Sequence, residues 1–91
     1  MNPNSTLTLY HLSYCPFCHK VRRAADALGI ELELIEIREN PAARDYLLKE
    51  RNSGTVPVLG IPTADGETLL GESDDIVAYL HRNAALLRKA A

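Results

Sequence analysis

The sequence predicts an α/β domain in which a mixed four-stranded sheet is flanked by three helices. Alternating apolar residues, as at 6–12, indicate strands. Apolar residues three and four apart, as from Val21 to Leu28, indicate helices. The two patterns follow one another in the order β-α-β-α-β-β-α, and the length of 91 residues suits one domain, so we expect residues 1–91 to form a single domain.

The first half of the chain predicts a β-α-β unit followed by a second helix. Pro16 suits the first turn of a helix, where its missing N–H costs nothing, and Gly29 suits the end of one. Two strands joined by a helix run parallel and need a right-handed crossover. The predicted elements are a strand at 6–12, a helix from Pro16 to Gly29, a strand at 31–37 and a helix from Pro41 to the turn at 51–54.

The second half predicts an antiparallel hairpin and a last helix. Residues 56–61 and 67–70 are expected to be its strands, and the segment "PTADG" at 62–66 has the composition of a turn. Ser73 or Asp74 is expected to cap the third helix, because both side chains can accept a hydrogen bond from the first turn.

Composition and charge exclude several classes of function. The net charge of −2 lacks the basic footprint of nucleic-acid binders, so we expect no nucleic-acid partner. No apolar run approaches the roughly 18 residues that a membrane-spanning helix needs. The first residues lack the basic and apolar regions of a signal peptide. We therefore expect a cytoplasmic protein with no membrane contact. In the cytoplasm a pair of thiols is more often catalytic or metal-binding than a permanent structural disulfide.

Both cysteines stand at the start of the first predicted helix, in "SYCPFCHK" at 13–20. The free N–H groups of a first helical turn favour a negative charge on Cys15. Cysteines in such Cys-x-x-Cys settings have pKa values lowered to roughly 3.5–7.5. Cys15 is therefore expected to be the nucleophile, and Cys18, one turn further, can resolve a mixed disulfide on it.

A metal site and a pair of inert core cysteines are the alternatives. A structural zinc site needs four ligands, whereas the chain has one cysteine pair, and His11, His19 and His81 lie on three different predicted elements. The inert alternative leaves unexplained why both cysteines crowd a helix start beside a proline. The redox interpretation is favoured because Cys-x-x-Cys beside a β-α-β pattern is typical of redox proteins, and no metal ligand is predicted.

Three motifs together resemble those of glutaredoxins, a family of the thioredoxin-like fold that works with glutathione. They are "CPFC" at 15–18, "TVP" at 55–57 and "GESDD" at 71–75, and the resemblance runs from about Leu7 to Leu80. The pair Glu72-Ser73 also resembles the N-terminal domains of glutathione transferases. The resemblance implies that Cys15 and Cys18 are catalytic, that no cofactor is bound and that glutathione is the cosubstrate.

The resemblance also implies how glutathione binds. A cis peptide at Val56–Pro57 is expected to turn the Val56 backbone toward the cleft, where an extended thiol peptide could pair as an added strand. The start of the last helix would hold the α-carboxylate of the γ-glutamyl group, while Asp74 or Glu72 would meet its α-amino group. The expected glutathione-binding residues are Tyr14, Phe17, Val56, Pro57, Glu72, Ser73 and Asp74.

One departure from the family concerns the other end of glutathione. Leu12 occupies the position at which glutaredoxins usually carry a lysine for the glycine carboxylate, and Arg51 or Lys20 are the candidate replacements. Lys20, Arg22 and Arg23 form a basic cluster; such clusters are usually solvated faces, and the alternative is that this one attracts glutathione and lowers the pKa of Cys15.

The predicted function is glutathione-dependent thiol–disulfide oxidoreduction, acting on glutathionylated and disulfide-containing proteins in cellular redox homeostasis. We expect the protein to act as a monomer. Two alternatives stay open: a carrier of an iron–sulfur cluster ligated by Cys15 and glutathione, and a glutathione transferase-like domain that binds glutathione.

Overall fold

The structure is a computed structural model that describes residues 6–87. Residues 1–5 and 88–91, which the single-domain prediction includes, lie outside the described residues. Between residues 6 and 87, no helix is long and apolar enough to cross a membrane. The elements are β1 (Leu7–His11), α1 (Pro16–Leu28), β2 (Leu32–Glu36), a 3₁₀ turn (Ile37–Glu39), α2 (Pro41–Arg51), β3 (Val58–Thr63), β4 (Gly66–Gly71), α3 (Ser73–Arg82) and a short α4 (Ala84–Leu87).

The four strands form one mixed sheet in the order β2-β1-β3-β4. The parallel pair β1–β2 brings His11 beside Glu36, and the antiparallel pair β1–β3 brings Leu9 beside Leu59. This arrangement confirms the predicted thioredoxin-like α/β fold with a mixed four-stranded sheet. Because β1 is one of the two central strands, the loop that follows His11 places the cysteine motif at the end of an interior strand of the sheet.

Alternation along the central strands divides the core between the two faces of the sheet. Leu7 and Leu9 point toward α1 and α3, and Tyr10 points the other way, toward α2. The α1/α3 face buries Leu7, Leu9, Val21, Ala25, Ile30, Leu59, Ile76 and Leu80, and the α2 face buries Tyr10, Ile37, Leu47 and Val58. Helices therefore cover both faces of the sheet.

Local signals set the ends of α1 as predicted. Pro16 opens the helix, and Gly29 closes it in the left-handed conformation with φ 73°. In that conformation the N–H of Gly29 donates to the Asp26 carbonyl and the N–H of Ile30 to the Ala25 carbonyl, which satisfies the last turn. A glycine adopts positive φ without steric cost, so the stop is encoded in one residue.

The hairpin differs from the prediction in its bounds. The strand predicted at 56–61 begins later, at Val58, and continues through Thr63, which pairs with Gly66 across a two-residue turn. The turn predicted over 62–66 is therefore wrong in extent. Pro62 is tolerated because β1 pairs β3 only from Val58 to Gly60, so this part of β3 has a neighbour on one side.

The predicted cap of the last helix is also wrong. Ser73 is already the first helical residue, and Glu72 occupies the N-cap position with φ 67° and makes no side-chain cap hydrogen bond. The Glu72 carbonyl accepts from the N–H of Ile76 and so begins the helix. Neither Ser73 nor Asp74 can cap from inside the first turn, because a capping side chain belongs to the non-helical residue before it.

A carboxylate ties β4 to the α2 side of the sheet. Oε1 of Glu67 accepts hydrogen bonds from the Tyr10 hydroxyl at 2.9 Å and the Tyr46 hydroxyl at 2.7 Å. Burial and then the hydrogen bond to Glu67 raise the pKa of both phenols, that of Tyr46 to about 12. Glu67 fits there because Gly60, on the neighbouring strand β3, has no side chain. A Cβ added to Gly60 would lie 2.6 Å from Cδ of Glu67.

Replacing Gly60 should therefore destabilise the fold. In Gly60→Ala the new methyl displaces the carboxylate and leaves the hydroxyls of Tyr10 and Tyr46 without their acceptor, at a cost of about 1–3 kcal/mol in the free energy of unfolding. Urea denaturation followed by circular dichroism measures this value. Gly54→Ala is the matched control, since its Cβ would meet Leu48 at an ordinary 3.5 Å, and equal losses in the two variants would contradict the role of Glu67.

Candidate functional site

Cys15 occupies the N-cap position of α1. Its backbone is extended, with φ −81° and ψ 123°, and its carbonyl accepts from the N–H of His19 at 2.9 Å. The N–H of Cys15 donates to the Leu12 carbonyl at 3.1 Å, which closes the turn between β1 and the helix. Both cysteines are free thiols, so the structure represents the reduced state of the pair.

The environment of Cys15 favours its thiolate. Partial burial raises the pKa of the thiol, but hydrogen bonds from the backbone N–H and the thiol of Cys18 lower it. The backbone N–H of Phe17 and the charge of Arg22 lower it further. The net result is a pKa for Cys15 below the ordinary value of a cysteine, as its place at the helix start predicts.

Cys18 has the opposite character. Its side chain is fully buried, and burial raises the pKa of its thiol to about 11. The hydrogen bond that Cys18 donates to Cys15, and the negative charge of Cys15, contribute to this rise in pKa. As the pH rises, Cys15 is therefore the first of the two thiols to lose its proton, while Cys18 keeps its own at neutral pH.

Arg22 links the cysteine turn to the sheet. Its Nη1 donates to Nδ1 of the buried His11 at 2.9 Å, and its Nη2 donates to the Ser13 carbonyl at 3.3 Å. Burial, followed by the charge of Arg22, lowers the pKa of His11, which keeps the ring a neutral acceptor. On the other side of the turn, Glu36 accepts from the N–H of Ser13 at 2.8 Å. The turn before Cys15 is thus held from both sides.

The basic cluster predicted in α1 does not act as one face. Arg22 packs under the turn as described, Arg23 is exposed, and Lys20 donates to Asp74 on α3. The Lys20–Asp74 ion pair joins the two helices at the surface, so Lys20 already has an anionic partner. Of the two alternatives for the cluster, lowering of the Cys15 pKa applies to Arg22.

A cavity of about 420 Å³ lies next to the cysteine motif. It is bounded by the start of α1, the loop before β3 and the start of α3. Its walls contain six of the seven residues predicted to bind glutathione, namely Phe17, Val56, Pro57, Glu72, Ser73 and Asp74. The Val56–Pro57 peptide is cis, as the resemblance implies. The role of these residues in binding stays a prediction.

Tyr14 is the predicted residue that the structure places elsewhere. Its ring is 65% exposed and lies under the guanidinium of Arg38, with Cζ 5.3 Å from the ring centroid. Leu12 is also explained by its surroundings, because its side chain packs against the core on the α2 face. An apolar residue there contributes to the core instead of reaching toward a ligand.

Three residues that line the cavity are not among the predicted glutathione-binding residues. Ser53 and Thr55 bond to each other through their hydroxyls at 2.7 Å and shape the loop before β3. Arg51, expected only as a possible replacement cation, also lines the cavity. Thr55 belongs to the motif "TVP", but the sequence positions of Arg51 and Ser53, at a helix end and in a turn, carry no signal that they face a site. Over the range 6–87, no three His, Cys, Asp or Glu side chains lie close enough together to hold a metal.

The titration of Cys15 should show the contribution of Cys18. In the reduced protein the rate of alkylation by iodoacetamide should rise with pH at a midpoint below that of an ordinary cysteine, because only the thiolate reacts. Cys18→Ala removes the hydrogen-bond donor and should raise this midpoint by about one to two pH units, since a bond to a charged group contributes about 1.5–3 kcal/mol. Cys18→Ser, which keeps a donor, should raise it less. Equal midpoints in all three proteins would exclude the thiol–thiolate bond.

Comparisons with known proteins agree with this geometry. Residues 9–87 match the family model described as "Glutathione S-transferase, N-terminal domain". A protein of Mycobacterium tuberculosis named as a glutaredoxin is 33% identical over 73 residues, which cover 80% of this chain and 86% of that protein.

Solved structures show the same kinship. The buckwheat glutaredoxin–glutathione complex superposes with a TM-score of 0.66 at 27% identity and covers 91% of this chain and 74% of that one. A trimeric glutathione transferase of Leishmania superposes with a TM-score of 0.71 at 28% identity, over 94% of this chain and 20% of that one. The chain therefore belongs to the glutaredoxin-like proteins of the thioredoxin fold, in the family defined by the glutathione transferase N-terminal domain.

Proposed function

We propose that this protein is a glutathione-dependent thiol–disulfide oxidoreductase that reduces protein–glutathione mixed disulfides and protein disulfides through Cys15 and Cys18. The observation that carries the proposal is the division of labour within the pair. Cys15 is accessible and has a lowered pKa, whereas Cys18 is buried and protonated beside it. The family supports the coarser statement that the chain acts on thiols with glutathione.

Removal of glutathione from a protein needs Cys15 alone. The Cys15 thiolate attacks the glutathione sulfur of the mixed disulfide, so that a bond forms between Cys15 and glutathione while the original disulfide breaks. The protein sulfur leaves as a thiolate and takes a proton from water. A second glutathione thiolate then attacks the bound glutathione sulfur, which releases the Cys15 thiolate and oxidised glutathione. In the net reaction the mixed disulfide is reduced to the protein thiol, and glutathione is the reductant that is oxidised.

Reduction of a protein disulfide needs both thiols. After Cys15 attacks, the substrate is held as a mixed disulfide, and Cys15 no longer carries a charge. The charge and hydrogen bond of Cys15 then cease to raise the pKa of Cys18, so its proton is released more easily. The Cys18 thiolate attacks the Cys15 sulfur, frees the reduced substrate and leaves a Cys15–Cys18 disulfide, which two glutathiones reduce.

The cavity supports a pose for the glutathione moiety. Its sulfur would meet Cys15, its cysteine backbone would lie along Val56, and its γ-glutamyl end would reach the start of α3 at Ser73. Since no side chain caps that helix, the N–H groups of its first turn are available to an anion. Asp74 is engaged with Lys20, which leaves Glu72 as the carboxylate better placed for the α-amino group.

Separate mutation of the two cysteines tests the mechanism. Cys18→Ser should keep most of the activity that removes glutathione from a glutathionylated protein, because external glutathione resolves the Cys15 mixed disulfide. The same variant should lose reduction of a protein disulfide, because the substrate stays trapped on Cys15. Cys15→Ser should lose both activities by at least about 100-fold, since a serine hydroxyl is not ionised at neutral pH.

Both variants are assayed side by side with glutathione, its reductase and NADPH, after circular dichroism has shown that each is folded. Ser13→Ala is a matched control for a hydroxyl change in the same turn, since it keeps the backbone hydrogen bonds of Ser13 and removes only the hydrogen bond between its side chain and Glu36. An active Cys15→Ser protein, or equal loss of both activities in folded Cys18→Ser, would reverse the assignment of attacker and resolver.

A further inference from the structure

The guanidinium of Arg51 is built into the wall of the cavity. Arg51 is the last residue of α2, and its side chain lies directly against Gly71 at the end of β4. A Cβ added to Gly71 would lie 2.9 Å from Cζ of Arg51, so the absence of a side chain at Gly71 makes room for the guanidinium. Gly71 is followed by Glu72 and Ser73, the start of α3. Arg51 is therefore held at the α3 end of the cavity.

Among residues 6–87, this guanidinium has no ionic partner. Nε of Arg51 is buried and has no hydrogen bond, and in the described part of the chain Arg51 forms no ion pair. A sheltered charge without a partner is costly, because the protein replaces the water that would solvate it. Lys20, by contrast, is half exposed and is neutralised by Asp74. The positive charge that remains available to a ligand in the cavity thus belongs to Arg51.

A carboxylate fits this position best. The guanidinium presents its donors as a planar fork that matches the two oxygens of a carboxylate. Ser73 at the start of α3 lines the same part of the cavity, and the helix N–H groups there favour the same charge. The Arg51 side chain and the start of α3 are therefore two independent groups that favour an anion in this part of the cavity.

We propose that Arg51 binds the α-carboxylate of the γ-glutamyl group of glutathione and so selects γ-glutamyl thiols over other thiols. The proposal rests on the proposed function and on its pose, in which the γ-glutamyl end reaches Ser73. It revises the expectation that Arg51 replaces the lysine for the glycine carboxylate, because Arg51 lies against Gly71, beside Glu72 and Ser73. In this role Arg51 determines which thiol binds, and it takes no part in the exchange between the reacting sulfurs.

The test measures the mixed disulfide of Cys15 in the Cys18→Ser background, which reports binding without turnover. Three thiol peptides are compared in their oxidised forms: glutathione, its analogue without the α-carboxylate (γ-aminobutyryl-cysteinyl-glycine), and its analogue with a glycine amide. The equilibrium constant for the mixed disulfide is determined by mass spectrometry for each peptide. Arg51→Met should lower it about 10- to 100-fold for glutathione and the glycine amide, the effect of one charged hydrogen-bonding pair.

For the peptide without the α-carboxylate, Arg51→Met should change the constant less than about twofold, because the partner of Arg51 is already missing. Arg44→Met is the matched control, since Arg44 lies exposed on the same helix and away from the cavity; it should change none of the three constants. Arg51→Lys keeps the charge without the fork and should give an intermediate loss for glutathione. It serves in place of Arg51→Met if that variant does not fold.

Gly71→Ala provides a second arm that keeps the charge but moves the guanidinium aside, and it should show the same preference as Arg51→Met. Equal losses for all three peptides, or a loss confined to peptides with a free glycine carboxylate, would overturn the proposal while leaving the proposed function intact. Failure of Cys15 to form a mixed disulfide with any peptide, even glutathione, would overturn both.

Discussion

The site depends on how well a negative charge is stabilised on the sulfur of Cys15. Three kinds of group stabilise it: the N–H groups of the first turn of α1, the thiol of Cys18 and the more distant charge of Arg22. The fold supplies all three together because β1 is one of the two central strands and α1 starts just beyond its end. Moving the helix start by one residue would separate the sulfur from these donors.

The far end of the site contains positive charge, which complements the anionic groups of a ligand. The cavity beside the motif is bounded by the helix start of α3 and by Arg51, so its far end attracts anions. In the proposed pose the sulfur of glutathione reaches Cys15 while its γ-glutamyl carboxylate reaches this end of the cavity. Under that proposal, charge and distance together, and not apolar contact alone, distinguish glutathione from other thiols.

Local signals predicted the parts of the molecule that depend on neighbouring residues. The periodicity around Val21 and the boundaries at Pro16 and Gly29 are of this kind, and the helix start in turn predicted the lowered pKa of Cys15. The bounds of the hairpin and the cap at Glu72 were not predicted correctly, because strand pairing decides them. The site of Arg51 could not be foreseen either: a cation at the end of a helix is ordinary for its dipole, and only the packing against Gly71 reveals another use.

The burial of Cys18 beside Cys15 also bears on chemical damage. An accessible thiolate reacts with peroxide to give a sulfenic acid, which further peroxide converts irreversibly to a sulfinic acid. Here the Cys18 thiol already donates a hydrogen bond to the Cys15 sulfur, so it can condense with a sulfenic acid there, lose water and form a disulfide. Cys18 itself is shielded from the oxidant by its burial. The pair to which we assign disulfide exchange can therefore convert an oxidative injury into a disulfide that ordinary thiols repair.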